Sequence, residues 1–197
     1  MIQIRRNAFE TNSSSMHCFI ISNKYPDLRD ETCGEHACIE KDEECNNILV
    51  INDIDFSDYG LEEVLTLWID KLAYAIAYKL NRTYYSEDKH KVLKEIEKAV
   101  YEYHPEIDKV VFKYNTDNND YYINHQSYDN MDNFMFHYNL TWRDIVFDDR
   151  YVIVPAADCC GYSEILNEVK NYGYSDFEDI FSWSSNKVVN DTVSEED

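Results

Sequence analysis

The most regular hydrophobic pattern in the sequence lies in residues 61–81. Apolar residues recur there at three- and four-residue intervals, at Leu61, Val64, Leu65, Trp68, Leu72, Ala75 and Ile76. This spacing predicts an amphipathic helix with a broad stripe facing the core. A second helix is predicted from Ser86, a favourable N-cap residue, up to Pro105, which stops it. We expect the two helices to pack as a hairpin.

Short runs of β-branched and aromatic residues predict strands on either side of this helical pair. Residues 17–21 and 48–51 are the first two, and a polar connection of about two dozen residues joins them. Further strands are predicted at residues 109–114 and 121–124, joined by an Asn- and Asp-rich turn, and at residues 151–155. Shorter helices are predicted at residues 129–138, 141–147 and 163–171.

These elements indicate an α/β or α+β fold, with a single mixed sheet packed by the helical hairpin. The length of 197 residues and the hydrophobic fraction of 44% suit one domain, which we assign to residues 1–183. Residues 184–197 are polar and should form a flexible acidic tail. The sequence has neither a run of about 18 apolar residues nor the apolar segment of a signal peptide, so we expect a cytoplasmic protein without membrane contact.

The charge of the chain indicates which class of partner it can bind. The formal net charge is −21, from 39 acidic and 18 basic residues. Such a surface repels nucleic acids and anionic membranes and favours a basic protein partner. The acidic excess lies in residues 1–60, 115–149 and 175–197, whereas the helical middle is nearly neutral. We expect partner contacts from the carboxylates of Glu40, Asp42, Glu43, Glu44, Asp117, Asp120, Asp129 and Asp132.

Candidate metal ligands concentrate in the polar connection, at Cys33, His36, Cys38 and Cys45. Thiolates and imidazole are the ligands that Zn²⁺ prefers, and a zinc ion would order a loop too polar to order itself by burial. The sequence therefore predicts a zinc-stapled N-terminal loop. The alternative is a set of free thiols in a mobile loop. His36 and Cys38 would point to opposite sides of an extended chain, which would leave one of them outside the site.

An enzymatic alternative uses His17, His125 and Ser127. The run Ser13–Ser15 before the first strand could form a turn whose backbone donors hold an anion, although such runs are more often structural. His125 could meet His17 and act as a base toward Ser127 or water, in a hydrolase or transferase of unspecified substrate. A histidine at a strand end is more often a hydrogen-bonding residue, so binding is the preferred hypothesis.

Three short segments resemble a group of small bacterial, prophage and mobile-element proteins. Residues 6–17 read R-N-A-F-E-T-N-S-S-S-M-H, which is similar to the group's opening, F-E-T-N-S-S-S-x-H. Residues 33–35 match a Cys-Gly-Glu that commonly follows. Residues 123–127 resemble an Ile-Asp-His-Gln-Ser segment, with Asn124 in place of Asp. Most of this group has no assigned activity.

The resemblance implies a phage or mobile-element accessory protein. Small, highly acidic proteins of this kind often inhibit host defences, and anti-CRISPR proteins commonly block the basic channels or mobile lobes of Cas effectors. Such a channel holds guide and target through backbone phosphates, so a folded surface of carboxylates can compete for it. We therefore expect an inhibitor of a host defence nuclease, foremost a Cas9-like effector, that acts in the host cytoplasm without binding nucleic acid.

Overall fold

A computed structural model describes residues 16–22, 32–56, 64–83, 86–113, 122–123, 125–156, 162–174 and 176–181. The strands are β1 (Met16–Ser22), β2 (Ala37–Lys41), β3 (Asn47–Ile51), β4 (Asp55–Phe56), β5 (Lys109–Phe112), β6 (Tyr122–Ile123), β7 (Tyr151–Ala156) and β8 (Phe177–Phe181). The helices are α1 (Trp68–Asn81), α2 (Ser86–Tyr103), α3 (His125–Tyr138), α4 (Trp142–Phe147) and α5 (Tyr162–Asn171). This mixture of helices and small sheets is an α+β arrangement.

The strands of the described residues form three small sheets, so the prediction of a single mixed sheet is wrong. One sheet has the antiparallel order β7-β1-β8. A second has the order β2-β3-β5, with β2 antiparallel and β5 parallel to β3. The third is the short parallel pair β4-β6. Hydrophobic runs locate strands along the chain, but they do not encode which strand each one pairs with.

Residues 18–21 of strand β1 are buried on both faces and separate two hydrophobic cores. Phe19 and Ile21 face the larger core, where the Phe19 ring stacks on Phe134 of α3 at 5.0 Å. Cys18 and Ile20 face a smaller core, closed by residues of α5. Because neither face of these residues meets solvent, the sequence shows a continuous apolar run here, without the alternation of polar and apolar residues that a half-buried strand has.

Helix α1 begins at Trp68, several residues later than predicted. Val64 and Leu65 are buried as the periodicity requires, but Leu65 forms a β-bridge with Ile153 of β7. The Leu65 N–H donates to the Ile153 carbonyl at 2.8 Å, and the Ile153 N–H donates back at 3.2 Å. The predicted helix is therefore wrong over residues 64–67, because burial alone does not distinguish a helical turn from a short bridge.

Helix α1 is a central helix rather than an amphipathic surface helix. It contacts α2, α4, β2, β4 and β6, and nearly all of its residues are buried. Even Asp70 and Lys71 are buried. The Lys71 Nζ donates to the carbonyls of Asp148 and Tyr151, each at 2.9 Å, and burial lowers the pKa of Lys71 to about 8. The predicted packing of α1 against α2 is confirmed.

Most other predicted elements are present with small changes of their ends. Helix α2 and strand β7 begin where the sequence predicts, and Thr141 caps α4 with a capping box to Asp144. Helix α3 starts four residues early, at His125, and β2, β4 and β8 were not predicted. Residues 115–120 and 184–197 lie outside the described residues. No helix in the described ranges is long and apolar enough to cross a membrane.

Candidate functional site

Within the predicted polar connection, residues 32–41 form a β-hairpin whose second strand is β2. The Gly34 N–H donates to the Ala37 carbonyl at 2.8 Å, and the Ile39 N–H donates to the Thr32 carbonyl at 2.6 Å. On its other side β2 pairs with β3 along its whole length. Backbone hydrogen bonds on both sides of β2 therefore order this part of the predicted connection.

The turn of this hairpin is held on helix α1 by Asp70. The Asp70 Oδ1 accepts a hydrogen bond from the His36 N–H at 2.9 Å, and Asp70 is only 6% exposed. The same carboxylate lies against Gly34, where a Cβ atom would come closer than 3.0 Å to three Asp70 atoms. Glycine is required at position 34 because no other residue leaves room for the carboxylate. This contact explains the structural role of the Cys-Gly-Glu segment.

The four predicted zinc ligands occupy different places on the hairpin. Cys33 and Cys38 lie directly opposite each other, and the buried His36 ring packs on Phe56 at 4.4 Å between centroids. Cys45 is exposed with φ 66° in the β2–β3 turn, about 10 Å or more along the strand from Cys38. Within the described residues no group of three or more His, Cys, Asp or Glu side chains could hold a metal ion. The zinc site stays a prediction.

The two opposed cysteines differ in exposure and environment. Cys33 is exposed, whereas Cys38 is buried. Burial raises the pKa of the Cys38 thiol, and its hydrogen bond to Glu40 Oε1 at 3.4 Å acts in the same direction. A hydrogen bond from Asn52 Nδ2, at 3.7 Å from Cys38 Sγ, only partly offsets this. Cys38 is therefore a protonated thiol at neutral pH.

The turn between β2 and β3, at the opposite end of β2 from Gly34, carries three acidic residues, Asp42, Glu43 and Glu44. The Asp42 Oδ1 accepts hydrogen bonds from the N–H groups of Glu44 and Asn46 at 2.9 and 2.8 Å. Asp42 Oδ2 accepts from Asn46 Nδ2 at 2.9 Å. The hydrogen bonds from Asn46 lower the pKa of Asp42 below its ordinary value. Asp42 thus orders the turn while remaining charged, and the neighbouring Glu43 and Glu44 are exposed.

Two more acidic residues, on the segment between α2 and β5, lie beside this turn, and the Glu106 carboxylate contacts His104 Nδ1 at 2.8 Å. Asp108 Oδ2 accepts from the Asn47 N–H at 2.8 Å, and the Glu106 carbonyl accepts from Asn47 Nδ2 at 2.9 Å. Burial opposes ionisation of Glu106, but hydrogen bonds from its own N–H and from His104 lower its pKa. The sequence analysis missed both acids because Asp108 and Asn47 are 61 positions apart. We call Asp42, Glu43, Glu44, Glu106 and Asp108 the acidic end.

The other predicted partner contacts lie elsewhere in the fold or outside the described side chains. Glu40 lies on β2 with its Oε1 at 3.7 Å from the Lys113 Nζ. Asp132 of α3 forms an ion pair with Arg82 and accepts a hydrogen bond from the Tyr78 hydroxyl, so its charge is used within the molecule. Asp129 lies in α3, and Asp117 and Asp120 lie outside the described residues.

The residues of the enzymatic alternative are placed only by their backbone. His17 lies in β1 opposite Pro155, whereas His125 and Ser127 lie in the first turn of α3. The side chains of these three residues and the whole run Ser13–Ser15 fall outside what the structure describes. A catalytic arrangement of these groups therefore stays a prediction.

Comparisons with protein-family models, with curated proteins and with solved structures found no match to this chain. Function is therefore inferred from the chemistry of the site itself.

Proposed function

We propose that the protein is an acidic binding module that places its acidic end on a basic surface of a protein partner. The observation that carries the proposal is the fixed arrangement of carboxylates around Asn46 and Asn47. These two residues donate hydrogen bonds to Asp42 and Asp108 and to the Glu106 carbonyl, so the β2–β3 turn and the segment between α2 and β5 are locked together. The net charge of −21 supports the same proposal, because it draws cationic surfaces toward the protein from a distance.

The rigidity of the acidic end bears on how well it can bind. Carboxylates on a flexible chain lose conformational freedom when they meet a partner, at a cost of about 0.5 to 1.5 kcal/mol for each ordered side chain. Here Asp42 and Asp108 are already held by backbone N–H groups. Glu43 and Glu44 extend from the turn that Asp42 orders. Binding therefore requires little further ordering of the backbone.

The partner class that we propose is a host defence nuclease, foremost a Cas9-like effector. The basic channel of such an enzyme binds guide and target through their phosphates rather than their bases. A folded set of carboxylates offers negative charge in the same channel and excludes nucleic acid by occupying it. This assignment is supported by the acidity of the chain and by its resemblance to phage and mobile-element proteins.

The test compares two triple variants that remove equal charge. The first, Glu43→Gln, Glu44→Gln and Glu106→Gln, removes three of the five charges of the acidic end but keeps the two aspartates that hold it together. The control, Asp88→Asn, Glu97→Gln and Glu168→Gln, removes three charges from α2 and α5. Binding to a guide-loaded Cas9 is measured by interferometry, and inhibition by target cleavage.

The first variant should bind at least about tenfold more weakly at physiological salt, since three interfacial charges contribute about 0.5 to 1 kcal/mol each. The control should stay within about twofold of the wild type, and the difference should shrink at high salt. Equal losses in both variants would remove the acidic end from the mechanism, and no binding by the wild type would exclude this partner. His125→Ala should keep full inhibition; its loss with intact folding and binding would favour the enzymatic alternative.

A further inference from the structure

The opposed cysteines of the hairpin have the backbone geometry of a disulfide site. The hydrogen bonds Gly34 to Ala37 and Ile39 to Thr32 flank the pair Cys33 and Cys38 on both sides. In an antiparallel ladder this pattern makes them a non-hydrogen-bonded pair, whose Cα atoms lie about 4.5 Å apart and whose side chains share one face. Disulfides bridge Cα atoms that are about 4.4 to 6.8 Å apart. The separation is therefore within reach of a covalent bond.

Both partners of this pair are held in place from outside the hairpin. Strand β3 pairs with β2 and fixes the Cys38 side. On the other side the buried Asp70 contacts Gly34 and accepts from the His36 N–H, which anchors the turn between the cysteines. The backbone positions of Cys33 and Cys38 are therefore fixed by contacts outside the pair.

We propose that Cys33 and Cys38 are a redox-active dithiol that low-molecular-weight disulfides, such as oxidised glutathione, convert to an intramolecular disulfide. The Cys33 thiolate attacks one sulfur of the glutathione disulfide, which forms a mixed disulfide and releases one glutathione thiol. The Cys38 thiolate then attacks the Cys33 sulfur and releases the second glutathione. The two protein thiols are oxidised, the oxidant is reduced to two thiols, and the two protein protons end on the released glutathiones.

The exposure of the two residues sets this order of attack. Cys33 is exposed and meets the oxidant first, whereas Cys38 is buried and reacts only across the strand. The exposed Cys45 has no cysteine opposite it on β2 or β3 within the described residues, so a glutathione adduct there should persist.

Formation of this disulfide has a consequence for the predicted zinc site. A disulfide between Cys33 and Cys38 would remove two of the four predicted thiolate and imidazole ligands. Metal binding at these cysteines and their oxidation are therefore mutually exclusive states.

The experiment maps every cysteine of the full-length protein after incubation with oxidised glutathione, acid quenching, alkylation and mass spectrometry. In the wild type we expect a peptide cross-linked through Cys33 and Cys38, with only transient glutathione on Cys33. In Cys38→Ser the Cys33 adduct should last at least about tenfold longer, because the tethered resolving thiol is gone. Cys45→Ser is the matched control and should give the wild-type yield of the cross-link.

Two results would overturn the proposal. One is a Cys33 adduct that persists in the wild type as long as in Cys38→Ser. The other is a disulfide from Cys33 or Cys38 to a different cysteine, Cys159 and Cys160 included. The cross-link map of the wild type decides the question by itself, so a poorly folding Cys38→Ser variant would not leave the proposal untested.

Discussion

Replacing Gly34 by alanine tests whether the contact between the hairpin and helix α1 is as tight as the structure indicates. The new Cβ would lie closer than 3.0 Å to Asp70 Oδ1, Oδ2 and Cγ. The Asp70 side chain is short and buried on α1, so it cannot move aside without breaking its hydrogen bond to the His36 N–H. Alanine at this position should therefore displace either the carboxylate or the turn.

The magnitude follows from the two contacts that are lost. A hydrogen bond to a charged group contributes about 1.5 to 3 kcal/mol to stability, and overpacking a buried site costs about 1 to 3 kcal/mol. We expect Gly34→Ala to lower the free energy of unfolding by about 3 to 5 kcal/mol, a large share of the roughly 5 to 15 kcal/mol of a typical domain. Thr32→Ala is the matched control in the same hairpin. Thr32 is exposed and bonds through its carbonyl, so it should change stability by less than about 0.5 kcal/mol.

A double-mutant cycle with Asp70→Ala separates the clash from a general sensitivity of the turn. Asp70→Ala alone leaves the His36 N–H without this acceptor, at a cost of about 1 to 3 kcal/mol. In the double variant the new Cβ has room, so adding Gly34→Ala should cost little more. Urea unfolding followed by tryptophan fluorescence and circular dichroism should yield an interaction energy of at least about 2 kcal/mol. Additive effects, or a Gly34→Ala variant as stable as the wild type, would refute the reasoning.

Three further predictions concern contacts elsewhere in the fold. Burial lowers the pKa of Lys71 to about 8, below its unfolded value, so between pH 8 and 10 the unfolded chain holds a proton that the folded one has lost. Relative to Lys71→Met, wild-type stability should rise by about 1.4 kcal/mol per pH unit there, and parallel pH profiles in denaturant titrations would contradict this. Tyr78→Phe removes the hydroxyl that donates to Asp132 and should lower the free energy of unfolding in urea by about 1 to 2 kcal/mol. An unchanged urea midpoint would mean that the Arg82–Asp132 ion pair does not depend on this hydroxyl. Thr141→Ala removes the cap of α4 and should lower the free energy of unfolding by about 1 kcal/mol in thermal melts. Thr141→Ser keeps the capping hydroxyl and should retain most of the wild-type stability, so equal losses in both variants would argue against capping.

Elements marked by local signals were predictable from the sequence. Helix α2 begins at Ser86 and ends before Pro105, and the β-branched run from Tyr151 forms β7. These features depend on capping, on the backbone restriction of proline and on periodic burial, which involve residues within a few positions of one another. The same local signals missed β2, because a short strand within a mostly polar segment resembles a loop until its partner is known.

The candidate site was only partly predictable. The sequence placed Glu40, Asp42, Glu43 and Glu44 together in one polar connection, and in the structure Asp42, Glu43 and Glu44 lie in one turn. It did not reveal Glu106 and Asp108, which reach that turn only because β5 pairs in parallel with β3. The sequence also grouped Cys45 with Cys33 and Cys38, although strand pairing places Cys45 in the β2–β3 turn, at the other end of β2 from Cys38.

The sequence by itself determined where most helices and strands lie, how acidic the protein is and which segment collects its cysteines. Tertiary structure decided the three-sheet arrangement, the pairing of Cys33 with Cys38, the docking of Gly34 on Asp70 and the assembly of the acidic end. The physical reason is separation along the chain. Local preferences act between neighbouring residues, whereas the partners of Asp70 and Asn47 are 34 and 61 positions away and are brought together only by burial of the common core.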